Sequence, residues 1–391
     1  MKKILALVLA VVMILALAAC GQPAAPAKPG AEGGGEAPKD DAIIKKVALV
    51  TDVGTIDDES FNQATWMGVE TWSKANNVDH IYYQPTENST DARTLSITQA
   101  IKEGANVIVL PGFLFGPNVL DVQKQYPDVY FLAVDVGEGD LTYDYETYEK
   151  PASNVVCLTF AEEQAGYLAG YAAVADGYTK LGFLGGMAVP AVVRYGYGFV
   201  QGADAAAQKL SKEVSIEYYY SGVFQGDASI TARMEGWYKD GTEVVFACGG
   251  GVYTSAVEAA LQHNGKVIGV DIDQHYVGEA KDQNGKPLYA YNPFISSAMK
   301  QLQNVTEAVL QALQEGNWEN YGGKVMTFSL AEGDYVGLPT AEASWGFKNF
   351  KLDDYNALVE SIKKGEVKVD NNADTTVKPT VSEFTKVNYI A

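Results

Sequence analysis

The chain after residue 45 alternates between short apolar runs and longer stretches in which apolar residues recur every three or four positions. The short runs are rich in β-branched and aromatic residues, which is typical of strands. The predicted strands are 47–53, 81–84, 107–110, 129–135, 155–160, 181–184, 214–220, 244–247 and 267–270. The predicted helices are 61–75, 90–103, 162–175, 192–210, 228–238, 253–262 and 295–315. Because strands alternate with helices, the pattern predicts an α/β fold built on parallel sheets.

The alternation falls into two sets, 46–135 and 155–270, separated by a polar loop at 136–154. Each set is long enough to form a doubly wound, Rossmann-like lobe. After residue 270 the pattern is mixed, which predicts a C-terminal segment that crosses between the lobes. The predicted N-terminal lobe is 44–150 with about 275–325, and the predicted C-terminal lobe is 151–274 with about 326–391.

The first residues carry the features of a bacterial export signal. Lys2 and Lys3 precede an apolar run at 4–19, which is shorter than the roughly 20 residues of a membrane-spanning helix. The run ends in small residues followed by Cys20, which resembles a lipobox. We therefore expect a signal peptide at 1–19, a lipid on Cys20, and a protein held at the outer face of the cell membrane. An ordinary signal peptide or an N-terminal helix with a chance cysteine is the alternative.

Residues 20–43 follow with a composition dominated by Pro, Gly and Ala and with no hydrophobic periodicity. Such a segment cannot bury a core, so it predicts a flexible linker between the lipid and the lobes.

The charge balance narrows the possible partners. Lys and Arg number 29 against 49 Asp and Glu, for a formal net charge of −20, so nucleic acid would be repelled. Three His and three Cys leave little material for a zinc site or a disulfide framework. Cys157 and Cys248 lie in apolar runs and are expected to be buried core residues.

Polar, aromatic and glycine residues follow several of the predicted strands. In doubly wound sheets, ligands bind just beyond the carboxyl ends of strands. The residues at these positions are Asp52, Asp135, Phe224, Gly249–Gly251, Asp271 and Asp273. An aromatic face can stack on a flat ring, carboxylates can bind vicinal hydroxyls, and glycines let the backbone approach a ligand. A base carrying a sugar fits this combination, and so does a plain sugar.

The segment after the first strand predicts a helix start. Ser60 fits the N-cap position, and Gln63 would complete a capping box, which places Phe61 and Asn62 on the first turn facing the cleft. Taken alone, Asp52 and the acidic residues at 57–59 are better explained by turn formation and helix-dipole compensation than by ligand binding.

The sequence indicates an enzyme less strongly than a binding protein, because its candidate catalytic motifs are incomplete. The glycines at 249–251 are not followed by the Lys-Ser/Thr of a P-loop, and no G-x-S-x-G occurs. Asp271 and Asp273 lack a third metal ligand at a useful spacing. We expect a binding protein without a cofactor or metal rather than an enzyme, although a lipid-tethered hydrolase remains an alternative.

The stretch DVGTIDDESFNQ at 52–63 closely resembles the signature of the basic membrane protein family, purine-nucleoside-receptor-like lipoproteins that serve ABC transporters. Supporting matches lie at 185–190, 197–202, 249–251, 269–274 and 296–300. The resemblance implies a type I periplasmic-binding-protein fold, in which two lobes joined by three crossovers close on a nucleoside. It also implies an ABC permease as partner, and we expect the protein to be a monomer.

The resemblance also assigns roles by position. Phe61 and Phe224 would sandwich the base, Asn62 and Asp135 would hydrogen-bond its edge, and Asp271 would take the ribose hydroxyls. Lys300 and Gly251 would lie nearby, with Asp52 facing the ligand. The chain departs from the family pattern at Thr55, where a second glycine is usual, and in a long loop at 140–150. The preference for a purine rests on the resemblance alone, and a sugar or a signalling molecule is the alternative ligand.

Overall fold

The computed structural model describes residues 43–390 with the exception of Tyr145. The predicted signal peptide, Cys20 and nearly all of the predicted linker lie outside the described residues. Among the residues described, no helix combines the length and apolar character needed to cross a membrane.

Strands and helices alternate along the described chain. The strands are β1 (Lys46–Val50), β2 (Asp79–Tyr83), β3 (Val107–Pro111), β4 (Tyr130–Val134), β5 (Val155–Phe160), β6 (Lys180–Gly185), β7 (Val214–Tyr220), β8 (Val244–Cys248), β9 (Lys266–Asp271), β10 (Phe294–Lys300), β11 (Lys324–Phe328), β12 (Val336–Gly337) and β13 (Thr385–Ile390). The α-helices are α1 (Phe61–Asn76), α2 (Thr90–Lys102), α3 (Gly116–Gln125), α4 (Glu162–Asp176), α5 (Pro190–Leu210), α6 (Ala228–Lys239), α7 (Tyr253–His263), α8 (Leu302–Gln314) and α9 (Leu352–Lys363). Short 3₁₀ helices span Phe113–Phe115, Glu138–Asp140, Gln274–Glu279 and Trp318–Asn320.

The strands form two sheets. The first has six strands in the order β11-β5-β4-β3-β1-β2, and the second has seven in the order β12-β10-β9-β8-β6-β7-β13. All pairings are parallel except β10 with β12. Strands β3 and β8 are buried at every position because helices cover both faces of a parallel sheet. The predicted α/β fold with two doubly wound sheets, of the type I periplasmic-binding-protein kind, is confirmed.

The chain passes between the two sheets three times, after β5, after β10 and after β11. The assignment of 155–160 to the second set of strands was wrong. Strand β5 pairs with β4 of the first sheet, with Val155 opposite Phe131. The polar segment 136–154 is therefore a loop inside one sheet rather than a boundary. The other lobe limits stay a prediction.

The predicted helix at 295–315 was also wrong in its first part. Residues Phe294–Lys300 form β10, paired in parallel with β9, and the helix α8 begins only at Leu302. The apolar and small residues of this segment fit both patterns, and pairing with β9 decides between them. This difference matters because it places Lys300 at the carboxyl end of a strand.

Helices α4 and α5 pack closely against each other. Gly198 and Gly202 of α5 lie against the backbone of Glu163 and Tyr167 in α4, with no room for a side chain. These two glycines therefore permit the close packing of the two helices. Cys157 and Cys248 are both buried, as expected, and both are free cysteines.

Candidate functional site

A cavity lies between the carboxyl ends of the strands of the two sheets, and we call it the central cavity. From the first sheet and its loops it is lined by Asp52, Gly54, Asp58, Phe61, Asn62, Gly112, Phe113 and Asp135. From the second sheet and its loops it is lined by Val189, Ala191, Val192, Tyr195, Phe224, Gln225, Cys248, Gly249, Gly250, Gly251, Val270, Asp271 and Lys300. Parallel strands bring their carboxyl ends to one edge of a sheet, which explains why residues far apart in sequence meet here.

All of the residues that the sequence singled out as ligand-binding line this cavity. They are Asp52, Phe61, Asn62, Asp135, Phe224, Gly251, Asp271 and Lys300. Their convergence is a property of the structure, whereas their contacts with a ligand stay a prediction.

Lys300 is the centre of the polar part of the cavity. Its side chain is only 2% exposed, and its ammonium donates to Asp135 and to Glu162, the latter at 3.3 Å. The carboxylate of Asp271 lies 3.8 Å away. Burial alone would lower the pKa of Lys300, but the charges of these three acids outweigh it and raise that pKa above its usual value. Lys300 therefore stays charged and joins strand ends from both sheets.

A second cation supports this group from behind. The guanidinium of Arg194, on the first turns of α5, contacts Glu162 at 2.7 Å. Burial pushes the pKa of Glu162 upward, but the charges of Arg194 and Lys300 lower it overall, so this carboxylate is ionised. Glu162 thus bridges Arg194 and Lys300, which holds the ammonium in place.

Carboxyl groups outnumber cations around the cavity, and the pKa values of several of these carboxyl groups are raised. Burial raises the pKa of Asp135 to about 7, although Lys300 opposes the shift. Burial likewise raises the pKa of Asp52 and Asp271, and that of Asp58 to about 6. Removing water from a carboxylate disfavours its charged form, and one lysine compensates only part of that cost.

Asp135 and Asp271 share an unusual backbone conformation. Their φ angles are 57° and 65°, in the left-handed region that non-glycine residues seldom adopt. Both residues end a strand or directly follow one, at β4 and β9. Aspartate tolerates this conformation better than most residues, and such strain is concentrated at functional sites. At both residues this conformation turns the backbone sharply, where the carboxylates lie close to Lys300.

The start of α1 differs from the predicted capping box. Ser60 makes no side-chain cap; its hydroxyl donates to Asp271 Oδ2 at 2.5 Å instead. Asp58 takes the capping role and accepts from the backbone N–H groups of Ser60, Asn62 and Gln63 at 2.9–3.1 Å. The prediction was wrong because the serine finds a stronger, charged acceptor on the other sheet.

The loop after β1 is bonded to the segment after β9 at a further point. The Gln274 side-chain amide donates to the Glu59 carbonyl oxygen at 2.8 Å, and Gln274 is fully buried. Together with the bond from Ser60 to Asp271, this contact holds the strand ends of the two sheets against each other at one side of the cavity.

The aromatic part of the cavity contains more rings than were predicted. Phe61 lies with its ring centroid 4.7 Å from the Lys300 ammonium, a cation–π contact. Phe224 packs against the glycine turn, 3.2 Å from the position a Cβ would take on Gly249, so that glycine makes room for the ring. Gly251 donates its N–H to the Phe224 carbonyl at 2.8 Å, so this amide holds the backbone beside the ring.

Phe113, Tyr195, Glu162 and Arg194 were missed in the sequence. Glu162 had a readable signal, since an acidic residue starts a helix directly after a buried strand. Phe113 likewise starts a short helix soon after a buried strand, β3. Tyr195 and Arg194 lie inside an amphipathic helix and give no local signal.

Asp273 accepts hydrogen bonds from the backbone N–H of His275 and from the Ser344 hydroxyl, and it does not line the central cavity. Within the described part of the chain, no group of three His, Cys, Asp or Glu side chains is arranged to hold a metal ion.

Comparisons with known proteins agree on one family. The model of a family described as ABC transporter substrate-binding protein PnrA-like matches residues 45–373. The chain is 30% identical over 310 residues to the ABC transporter nucleoside-binding protein BmpA of Lactococcus lactis subsp. cremoris, covering 76% of this chain and 82% of that protein. It is 26% identical over 315 residues to an uncharacterised lipoprotein of Pyrococcus abyssi, covering 78% and 71% of the two chains.

A solved structure shows the same fold. The crystal structure of an ABC transporter solute-binding protein from Aeropyrum pernix K1 superposes with a TM-score of 0.69. The alignment covers 85% of this chain and 95% of that one at 20% identity, so it supports the fold alone.

Proposed function

The chain belongs to the PnrA-like family of ABC transporter substrate-binding proteins. From this we propose that it binds a nucleoside, preferably a purine nucleoside, in the central cavity. The cleft holds the ligand without changing it chemically and delivers it to an ABC permease. The nucleoside-binding relative in Lactococcus lactis supports this ligand class.

One observation carries the proposal. Three polar atoms of the central cavity are buried and, among the described residues, have no hydrogen-bond partner: Asn62 Oδ1, Asp135 Oδ1 and the Tyr195 hydroxyl. Buried polar atoms are normally paired, because leaving one unpaired costs about 1–3 kcal/mol. Two of the three are acceptors, which suit the N–H groups along the edge of a base. Phe61 and Phe224 provide rings for its faces, and Asp271 provides a carboxylate for vicinal hydroxyls.

The arrangement supports closure of the two lobes on the ligand. Asp52, Phe61, Asn62 and Asp135 come from the first sheet, whereas Phe224, Asp271 and Lys300 come from the second. A ligand that contacts both groups stabilises the closed conformation in proportion to those contacts. The bond between Ser60 and Asp271 already joins the two sides, so the ligand adds to an existing closed contact.

The charge of the cavity predicts that phosphorylated ligands are rejected. The acids around the cavity outnumber Lys300, whose ammonium is already engaged by Asp135 and Glu162. A phosphate would add like charges to this group, which costs several kcal/mol, so we expect at least about 100-fold weaker binding of a purine nucleoside monophosphate than of the nucleoside.

Titration calorimetry with a purine nucleoside, its monophosphate, the free base and ribose tests both points. Tight binding of the nucleoside alone is the expected result. Preference for ribose or another sugar would support the alternative ligand, and recovery of free base after incubation with the nucleoside would show a hydrolase. Equal affinity for the nucleoside and its monophosphate would contradict the charge argument.

We also propose that residues 1–19 are removed and that Cys20 carries the lipid. The support is the sequence around Cys20 and the naming of a relative from Pyrococcus abyssi as a lipoprotein. In cells, the wild-type protein should sediment with membranes and incorporate a labelled fatty acid, whereas Cys20→Ala should do neither. Labelling of the Cys20→Ala variant would place the lipid elsewhere.

A further inference from the structure

A second cavity adjoins the central cavity, and we call it the side cavity. The two cavities share three lining residues, Phe113, Asp135 and Val189. Asp135 therefore stands at the junction, with one face toward each cavity. In the proposed function Asp135 lies at the edge of the base, so the side cavity begins where that edge ends.

One wall of the side cavity is apolar. Besides the shared Phe113 and Val189 it is formed by Leu114 and Pro117, in the 3₁₀ helix before α3 and in its first turn, and by Met187, Ala188 and Pro190, in the turn after β6 and at the start of α5. The two sides of this wall belong to different sheets. An apolar group placed here would contact residues of both lobes, and the area it buries would add to closure.

The side cavity is also lined by two guanidinium groups, from Arg93 and Arg194. Arg93 is only 3% exposed and donates to Asn88 at 2.9 Å and to Asn118 at 3.3 Å. Among the described residues, no carboxylate lies within ion-pair distance of it, whereas Arg194 is paired with Glu162. Planar guanidinium groups bind aromatic faces well.

An anionic group is a poorer match for this cavity. Glu138 and Asp140 line it together with Asp135, so three acids outnumber the two arginines. A neutral, apolar or aromatic group avoids repulsion from these acids and can still lie over a guanidinium plane.

We propose that the side cavity is a specificity subsite for an apolar or aromatic substituent on the edge of the base. The inference rests on the proposed function and deepens it. The ligands are then not limited to unmodified nucleosides but include purine nucleosides whose exocyclic amine carries a benzyl-sized group. Phe113 and Val189 flank the passage from the base to the substituent.

The test compares adenosine with adenosine benzylated on its exocyclic amine, by titration calorimetry on the full mature chain. The wild type should bind the benzylated compound within about threefold of adenosine. Ala188→Trp should weaken binding of the benzylated compound by at least about tenfold and change adenosine binding less than about twofold. Ala188 is exposed and does not line the central cavity, so the larger side chain can be added without disturbing the core. Ala188→Ser is the matched control and should behave like the wild type.

The outcomes separate this inference from the proposed function. If the wild type binds adenosine but binds the benzylated compound more than about 100-fold more weakly, the subsite does not exist while the proposed function stands. If Ala188→Trp weakens both compounds equally, or neither, the substituent does not lie in the side cavity and the inference is wrong. If the wild type binds no nucleoside at all, the proposed function fails and the inference fails with it.

Discussion

Lys300→Met is expected to lower the free energy of unfolding by about 3–5 kcal/mol and to remove measurable ligand binding. The variant keeps the volume of the side chain but leaves Asp135, Glu162 and Asp271 in a buried site with one cation fewer. Uncompensated buried charge is among the most costly changes that a single substitution can make. Urea denaturation without ligand gives the change in stability, and calorimetry gives the change in affinity.

The pH dependence of that loss has a definite sign. Burial raises the pKa of Asp135 from 3.8 to about 7, so the folded chain holds a proton that the unfolded chain has released in this range. This contribution to stability is present below pH 3.8, the pKa of Asp135 in the unfolded chain, and is lost as the pH rises toward about 7, its pKa in the folded chain. Removing Lys300 raises the carboxyl pKa values further and extends the loss to higher pH. The destabilisation should therefore be larger at about pH 8 than at about pH 5.

Lys363→Met is the matched control for this prediction. Lys363 also contacts two acids, Asp334 at 2.7 Å and Glu360 at 3.5 Å, but the Asp334 side chain is 76% exposed. Exposed ion pairs contribute about 0–1 kcal/mol, so the control should unfold almost as the wild type does. Equal effects of the two substitutions, at any pH, would refute the assignment of Lys300 as the buried centre of charge.

Phe61→Ala is expected to weaken nucleoside binding by about 10- to 100-fold while leaving the unfolding transition nearly unchanged. The ring is half-buried on the first turn of α1 and lines the central cavity. Stacking of a base on an aromatic ring contributes about 1–3 kcal/mol, and alanine removes that surface. Calorimetry with a purine nucleoside measures the loss.

Two further variants identify the cause of any loss. Met67→Ala lies on the same helix, is 40% exposed and does not line the central cavity, so it should bind as the wild type does. Phe61→Trp keeps a flat ring and should recover most of the affinity. Wild-type affinity in Phe61→Ala would place the base elsewhere in the cavity, and a loss in Met67→Ala would indicate disturbance of the helix rather than lost stacking.

Local pattern predicted much of this molecule because parallel α/β units are largely local in their signals. The buried strands β3 and β8 stand out as short apolar runs, and the segment at 52–63 predicts both a helix start and candidate ligand contacts. The rule that ligands bind beyond strand ends then selected Asp52, Asp135 and Asp271 without any knowledge of their partners. The position of Phe224 between a strand and a helix also followed from the pattern, whereas Lys300 came from family resemblance, since nothing in its immediate neighbours distinguishes it.

The errors share one physical origin, which is a choice made by a distant part of the chain. The sequence of residues 294–300 allows a helix or a strand, and pairing with β9 makes it a strand. Ser60 could cap its own helix, but the carboxylate of Asp271 lies within its reach and is a stronger acceptor.

The sequence by itself therefore determined that strands alternate with helices, the edge of the sheets at which a ligand would bind, and several of the acids and rings available there. Only the tertiary structure decided that Glu162 and Arg194 hold Lys300, that Asp58 caps α1, and that β5 belongs to the first sheet. The physical reason is that periodicity and turn chemistry act over a few neighbouring residues, whereas burial, ion pairing and strand pairing depend on groups up to hundreds of positions apart.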